Sequence, residues 1–282
     1  MDFHSLSFIF NRSLKYIFSK KKCLTVFSIL ALSGLFVVFF RALAFKAGEW
    51  VKLSLTFLPI FLCTGVLLSL GIFLIRIYHD EVKQKEVGFL QTLSKSWELM
   101  IGAFYFTIPI ILSYLVLWIC LGFFVLLKEM PMLGDFFNVI LSFAPFLIHL
   151  ATLVLCVISL AILFILSPIL ALKGLSRQLV FHATLKRLEH NPFANILASI
   201  LALLPALFTV ALLMVAALLT GSVCLECSNT LQVALKWFFI MVPFTACLTP
   251  GVIFFFNFAA EFHVMMQKEL REQEEKVAFK EK

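Results

Sequence analysis

The chain has 282 residues, of which 62% are apolar and 14% charged, with a mean hydropathy of +1.05 and a formal net charge of +7. Soluble domains average about 45–50% apolar and about 25% charged residues. This composition therefore excludes an ordinary soluble globule, a disordered chain and a disulfide-rich secreted scaffold.

A helix needs about 20 apolar residues, each rising about 1.5 Å, to cross the hydrocarbon core. Residues 1–22 precede the first such stretch and read as a cytoplasmic amphipathic segment. Phe3, Leu6, Phe10, Leu14, Ile17 and Phe18 recur at near-helical spacing, with Arg12 and Lys15 elsewhere on the turn. Such a helix lies in the membrane interface, apolar face down. Arg12, Lys15, Lys20, Lys21 and Lys22 are expected to meet anionic headgroups, as are Lys186 and Arg187 further along. Ala42-Leu43-Ala44 mimics a signal cleavage site. However, its lead segment exceeds the usual length of about 15–30 residues and carries Arg41, so the segment is expected to stay as a span.

The membrane domain, 23–260, holds six stretches free of Asp, Glu, Lys and Arg: 24–40, 53–75, 99–127, 145–172, 193–219 and 237–260. They are apolar all round and too long for barrel strands, and backbone groups in lipid must pair within each segment. The expected fold is all-α, an integral membrane protein of six transmembrane helices. Pro59, Pro109, Pro168, Pro205, Pro243 and Pro250 predict kinks or broken ends. Residues 136–144 read as an interfacial lead-in to the fourth span. Residues 261–282 read as a charged tail, a solvated helix extending from the sixth span.

Eighteen of the 23 Lys and Arg residues fall on the side shared by the two termini, and five on the other. Cytoplasmic loops collect Lys and Arg, so both termini are expected in the cytoplasm of a bacterial inner membrane. The basic balance comes with no nucleic-acid motif, so the lipid surface is the expected partner and nucleic acid is not. A membrane-protein partner or a second copy of the chain is also compatible with this composition.

The segments before the odd-numbered spans look alike: Ser13-Leu14-Lys15-Tyr16-Ile17, Ser96-Trp97-Glu98-Leu99-Met100 and Thr184-Leu185-Lys186-Arg187-Leu188. They predict three repeated units, each an interfacial helix followed by a transmembrane hairpin. With Leu166-Ser167-Pro168-Ile169-Leu170-Ala171-Leu172, and the stretch from His182 to Leu204 after it, this pattern resembles the glycerophosphoryl diester phosphodiesterase membrane-domain group and related six-span bacterial families. The resemblance implies a membrane module and not hydrolysis, because the longest polar segment, Arg76 to Glu98, is far too short for a phosphodiesterase domain. The load of 34 Phe departs from that group.

Chemistry-bearing residues are sparse. No span carries an acid or base at mid-depth, which argues against a proton-driven transporter. His149 and Asn257 are the intramembrane polar candidates, a relay or ligand in one reading and structural hydrogen-bonding groups in the other. Cys224 and Cys227 form a Cys-x-x-Cys pair in the outer loop between spans five and six, open to a disulfide, a redox pair or free thiols. No phosphate loop, hydrolase elbow or zinc motif occurs, so no catalytic residue, cofactor or metal is expected. The expected function is a non-catalytic scaffold or helper for lipids or other membrane proteins. The alternatives are a facilitator for a neutral or amphiphilic solute, with Thr64, Ser113, Thr209 and Thr245 as its polar stripe, and a thiol oxidoreductase using Cys224 and Cys227.

Overall fold

Long apolar stretches can satisfy their backbone in lipid only as helices, and helices are what form. The computed structural model describes residues 3–44, 47–84, 88–128, 130, 142–220 and 230–280. In chain order the helices are α1 (Phe3–Lys15), α2 (Lys20–Leu43), α3 (Glu49–Val82), α4 (Phe89–Phe104), α5 (Ile108–Lys128), α6 (Ala144–Lys173), α7 (Arg177–His190), α8 (Pro192–Leu219) and α9 (Thr230–Lys280). Among the described residues six helical segments are long and apolar enough to span a membrane: α2, α3, α4 with α5, α6, α8 and α9. Each contains one of the six expected stretches.

Proline placement explains two boundaries. A 3-10 turn, Tyr105–Thr107, separates α4 from α5 immediately before Pro109. Proline has no N–H and its ring crowds the preceding turn, so the third span breaks there. Pro145 occupies the first turn of α6, where a missing N–H costs nothing. Of the expected lead-in 136–144, residues 136–141 lie outside the described residues.

Helix α3 is the central element. Of its apolar stretch 61% is buried inside the molecule, against 6% for α8. Leu68, Leu70, Ile72, Phe73, Leu74 and Ile75 of α3 are buried, as are Phe254, Phe256, Phe258 and Phe262 of α9 and Phe164 of α6. Phe164 lies 5.8 Å from Phe262 and 6.5 Å from Phe258, ring centre to ring centre, and Phe10 of α1 lies 5.1 Å from Phe254. These rings form one slab of packed aromatics.

Small residues set the helix spacings. Helix α2 buries one row at intervals of four, Lys22, Val26, Leu30, Gly34 and Val38. A methyl group built on Gly34 would stand 2.7 Å from the Met241 side chain of α9. On Gly251 of α9 it would stand 3.1 Å from the Ala206 Cα of α8, so those two backbones nearly touch. In α3, Gly65 receives the Phe104 ring and Gly71 the Phe256 ring, and the Ser69 hydroxyl donates to the Met100 carbonyl at 2.7 Å.

The short helices bury only part of their surface against the bundle. In α1 and the turn after it, Ile9, Ser13 and Ile17 are buried while Leu14 and Phe18 are exposed. In α4, Thr92 and Ser96 are buried and Trp97 is exposed; in α7, Val180 and Arg187 are buried and Leu179, Phe181, Leu185 and Leu188 are exposed. Helix α7 turns most of its larger apolar residues outward, whereas α1 and α4 split theirs: Phe10 packs on Phe254 and Phe89 on Phe73, while Leu14 and Trp97 point away from the bundle. Periodicity shows that two faces differ, and the neighbouring helices decide which one is covered. Helix α9 also stays in the core beyond residue 260, through the buried Phe262, His263 and Met266, before it becomes a solvated tail. A Lys268–Glu272 pair at 3.8 Å marks that tail.

Candidate functional site

The end of the bundle that gathers both terminal segments is built from charges that the sequence scatters. Arg76, near the end of α3, donates through Nε to the Ala171 carbonyl at 3.2 Å. Its Nη1 donates to the Lys95 carbonyl at 3.0 Å and to Ser96 Oγ at 3.2 Å. One guanidinium fork thereby ties α3 to α4 and α6. Beside it, Tyr78 Oη donates to Glu261 Oε1 at 2.6 Å, and Arg12 Nε lies 3.4 Å from the same oxygen. The N-terminal segment and the end of the last span therefore meet at one end of the bundle. Lys22 pairs with Glu81 and lies 5.7 Å from the centre of the Tyr78 ring.

Arg187 forms the second cluster. It is 2% exposed, and it lies 5.4 Å from the ring centres of both Phe164 and Phe262. Nε donates to Asn195 Oδ1 at 2.8 Å, and Asn195 Nδ2 returns a bond to the Arg187 carbonyl at 3.0 Å. Nη1 reaches the Ile165 carbonyl at 3.4 Å and His263 Nδ1 at 3.3 Å; Nη2 has no partner among the described residues. No carboxylate among the described residues pairs with this guanidinium. Burial lowers its pKa to about 10, which leaves it charged at neutral pH. Since a guanidinium only donates, His263 Nδ1 must accept and Nε2 carries the ring proton. Gln267 Nε2 lies 2.8 Å from that Nε2, and because two N–H groups cannot bond each other, this tautomer requires the amide to be assigned with its oxygen on the histidine side.

Two expected headgroup contacts are corrected here. Lys22 is 1% exposed and Arg187 is 2% exposed, so neither reaches the lipid surface. Lys22 belongs to the buried row of α2, and Arg187 shares a face of α7 with the buried Val180. A run of basic residues looks uniform in sequence, but helical rotation sends neighbours about 100° apart. Lys15, Lys20, Lys21 and Lys186 are exposed, and Arg12 is half-buried against Glu261.

The two intramembrane candidates differ. Asn257 is fully buried and its Nδ2 donates to the Ser13 carbonyl at 3.4 Å, joining α9 to α1. His149 is exposed, with Nδ1 2.7 Å from the Pro145 carbonyl of its own first turn. Cys224 and Cys227 lie outside the described residues; Cys23, Cys63, Cys120, Cys156 and Cys247 are free thiols. The four hydroxyls of the expected polar stripe each bond back into their own helix: Thr64 to Ile60, Ser113 to Pro109, Thr209 to Pro205 and Thr245 to Met241. Among the described residues no group of three or more His, Cys, Asp or Glu converges on one point.

Two cavities are notable. At the end away from the charged clusters, a groove of about 480 Å³ runs between α2, α8 and α9, lined by Val38, Leu213, Ala217, Trp237, Met241 and Pro243. At the charged end, a cleft of about 690 Å³ opens between α7 and the α4–α5 break, with Ile108, Leu166, Val180 and Phe181 on its walls and Tyr105, Gln178, His182 and Thr184 among them. Sequence reading found neither cavity and missed the Arg187 cluster. The only local signal for the latter was an Arg in a helix that lacks a clean apolar stripe. No family model matches the chain, and neither a curated protein nor a solved structure matches it.

Proposed function

We propose that this protein is a non-catalytic scaffold of a bacterial inner membrane that seats an apolar segment of another membrane component in the groove between α2, α8 and α9. The observation that carries the reading is the contrast in burial between α3 and α8. Only 6% of the apolar stretch of α8 is buried, so much of that helix faces lipid or a partner. The groove beside it is apolar and wide enough for an acyl chain or the side chains of a crossing helix. We place the charged end in the cytoplasm, with both termini, from the distribution of Lys and Arg. We also read the element order as three units, each a short helix followed by a transmembrane hairpin.

The test is photo-crosslinking in native membranes from a reactive residue introduced at Leu213. A discrete protein or phospholipid adduct is expected, and Ala217→Trp, which fills the groove, should suppress it. Equal labelling from Leu213 and from the exposed Phe193 of the same helix, unaffected by Ala217→Trp, would refute the scaffold reading.

A further inference from the structure

We infer that the groove between α2, α8 and α9 is a phospholipid site, with one acyl chain in the groove and the headgroup phosphate on Arg41. The inference rests on the reading of that groove as a seat, and it names the occupant.

Three helix ends frame the groove. Val38 lies near the end of α2, Ala217 near the end of α8 and Trp237 near the start of α9. Toward the middle of the bundle the groove is shut. Gly34, one turn before Val38, packs so tightly on α9 that a methyl group there would stand 2.7 Å from the Met241 side chain. Helices α8 and α9 close further along, where a methyl group on Gly251 would stand 3.1 Å from the Ala206 Cα. The lining on α9 runs from Trp237 to Phe244, about 10 Å of axis at 1.5 Å per residue. The groove is therefore a notch that stops part-way along the bundle. A crossing helix packs on its neighbours over a hydrocarbon core about 30 Å thick. So short a notch suits a single flexible chain. Among the described residues no charged side chain lines it, and its walls take hydrocarbon.

The rim is different. Arg41 follows Val38 by three residues, so the two share a face of α2, with Arg41 nearer the helix end. Its guanidinium carbon lies 5.6 Å from the centre of the Trp237 ring, and that ring lines the notch. Arg41 is exposed, and among the described residues no hydrogen bond or ion pair engages its side chain. A guanidinium held against a ring keeps N–H donors available, in the planar fork that matches a phosphate. Tryptophan at the end of a span stands at headgroup level.

Cation and hydrocarbon surface thus follow one another in the order in which a phospholipid presents its phosphate and its chain. A neutral lipid with the same chains fills the notch but leaves Arg41 without an anion. A free phosphate meets Arg41 but leaves the notch empty.

The experiment is native mass spectrometry of the whole detergent-purified protein with phosphatidylglycerol or with diacylglycerol of the same acyl chains. Retention of phosphatidylglycerol is expected to exceed that of diacylglycerol by about tenfold. Arg41→Gln, at an exposed site, should bring the two lipids to parity. Ala217→Trp fills the notch and should reduce retention of both. Inorganic phosphate should not displace phosphatidylglycerol. Equal retention of the two lipids by the unaltered protein would overturn the proposal, as would a preference that survives Arg41→Gln. Displacement by phosphate alone would assign the rim to a small anion and overturn it too. A protein adduct from Leu213 in native membranes, with no preference for phosphatidylglycerol, would sink this proposal and leave the scaffold reading standing. Labelling from Leu213 that ignores Ala217→Trp would take both down, because the groove would then seat nothing.

Discussion

The two ends of the bundle are built on different physics. At the charged end, rings of α1, α6 and α9 pack into one slab, and Arg12, Arg76, Tyr78, Glu81 and Glu261 tie α1, α2, α3, α4, α6 and α9 together. Away from that slab, α8 and α9 approach closely at Gly251 and Ala206, and at the far end α2, α8 and α9 leave an apolar groove. Lipid tails are as apolar as leucine, so the hydrophobic effect does not press helices together at mid-membrane. Cohesion there depends on close packing alone, whereas the interface adds ring contacts and charge-assisted hydrogen bonds. The molecule is accordingly firm at one end and open at the other.

The comparison is best tested by unfolding in detergent micelles. The largest effect is expected from Phe262→Ala, which empties a fully buried place in the slab and beside Arg187; its cost is about 3–5 kcal/mol. Phe208→Ala on α8, at a side chain 62% exposed, should shift the transition by less than about 0.5 kcal/mol. Equal costs for the two would abolish the distinction between the ends. Glu81→Gln comes next, at about 3 kcal/mol, because it leaves Lys22 buried without its anion. Replacing Lys22 and Glu81 together by Met and Leu should recover most of that loss, and a failure to recover would show that the pair acts through more than charge.

Gly251→Val should cost about 1–3 kcal/mol, because the added carbons meet the Ala206 backbone and not a movable side chain. It should also lower crosslinking from Leu213 by changing the spacing of α8 and α9. Lys268→Ala should cost less than about 0.5 kcal/mol, since both partners of the Lys268–Glu272 pair are exposed. A large effect there would mean that the tail packs on something in the folded protein.

How much was legible follows from which residues are local and which are not. The six spans could be read directly, because an uncharged stretch of about 20 residues has one backbone solution in lipid. The break at the third span was legible from Pro109, and the helical tail from its spaced charges. The face that α1, α4 and α7 turn inward was not. Leu14, Trp97 and Phe181 point away from the bundle, while Phe10 of the same amphipathic pattern packs on Phe254. Nor could the fates of Lys21 and Lys22 be separated, since adjacent residues of one run end in water and in the core.

The sequence by itself determined the helices, their number and the clustering of basic charge, because those follow from hydropathy, length and the absence of water inside a bilayer. Only the tertiary structure decided that Arg187 is buried between two phenylalanines without a carboxylate among the described residues, and that a cleft opens between α7 and the α4–α5 break. The physical reason is distance along the chain. Phe164, Arg187 and Phe262 converge through packing of α6, α7 and α9, and no local pattern encodes where three separated helices will meet.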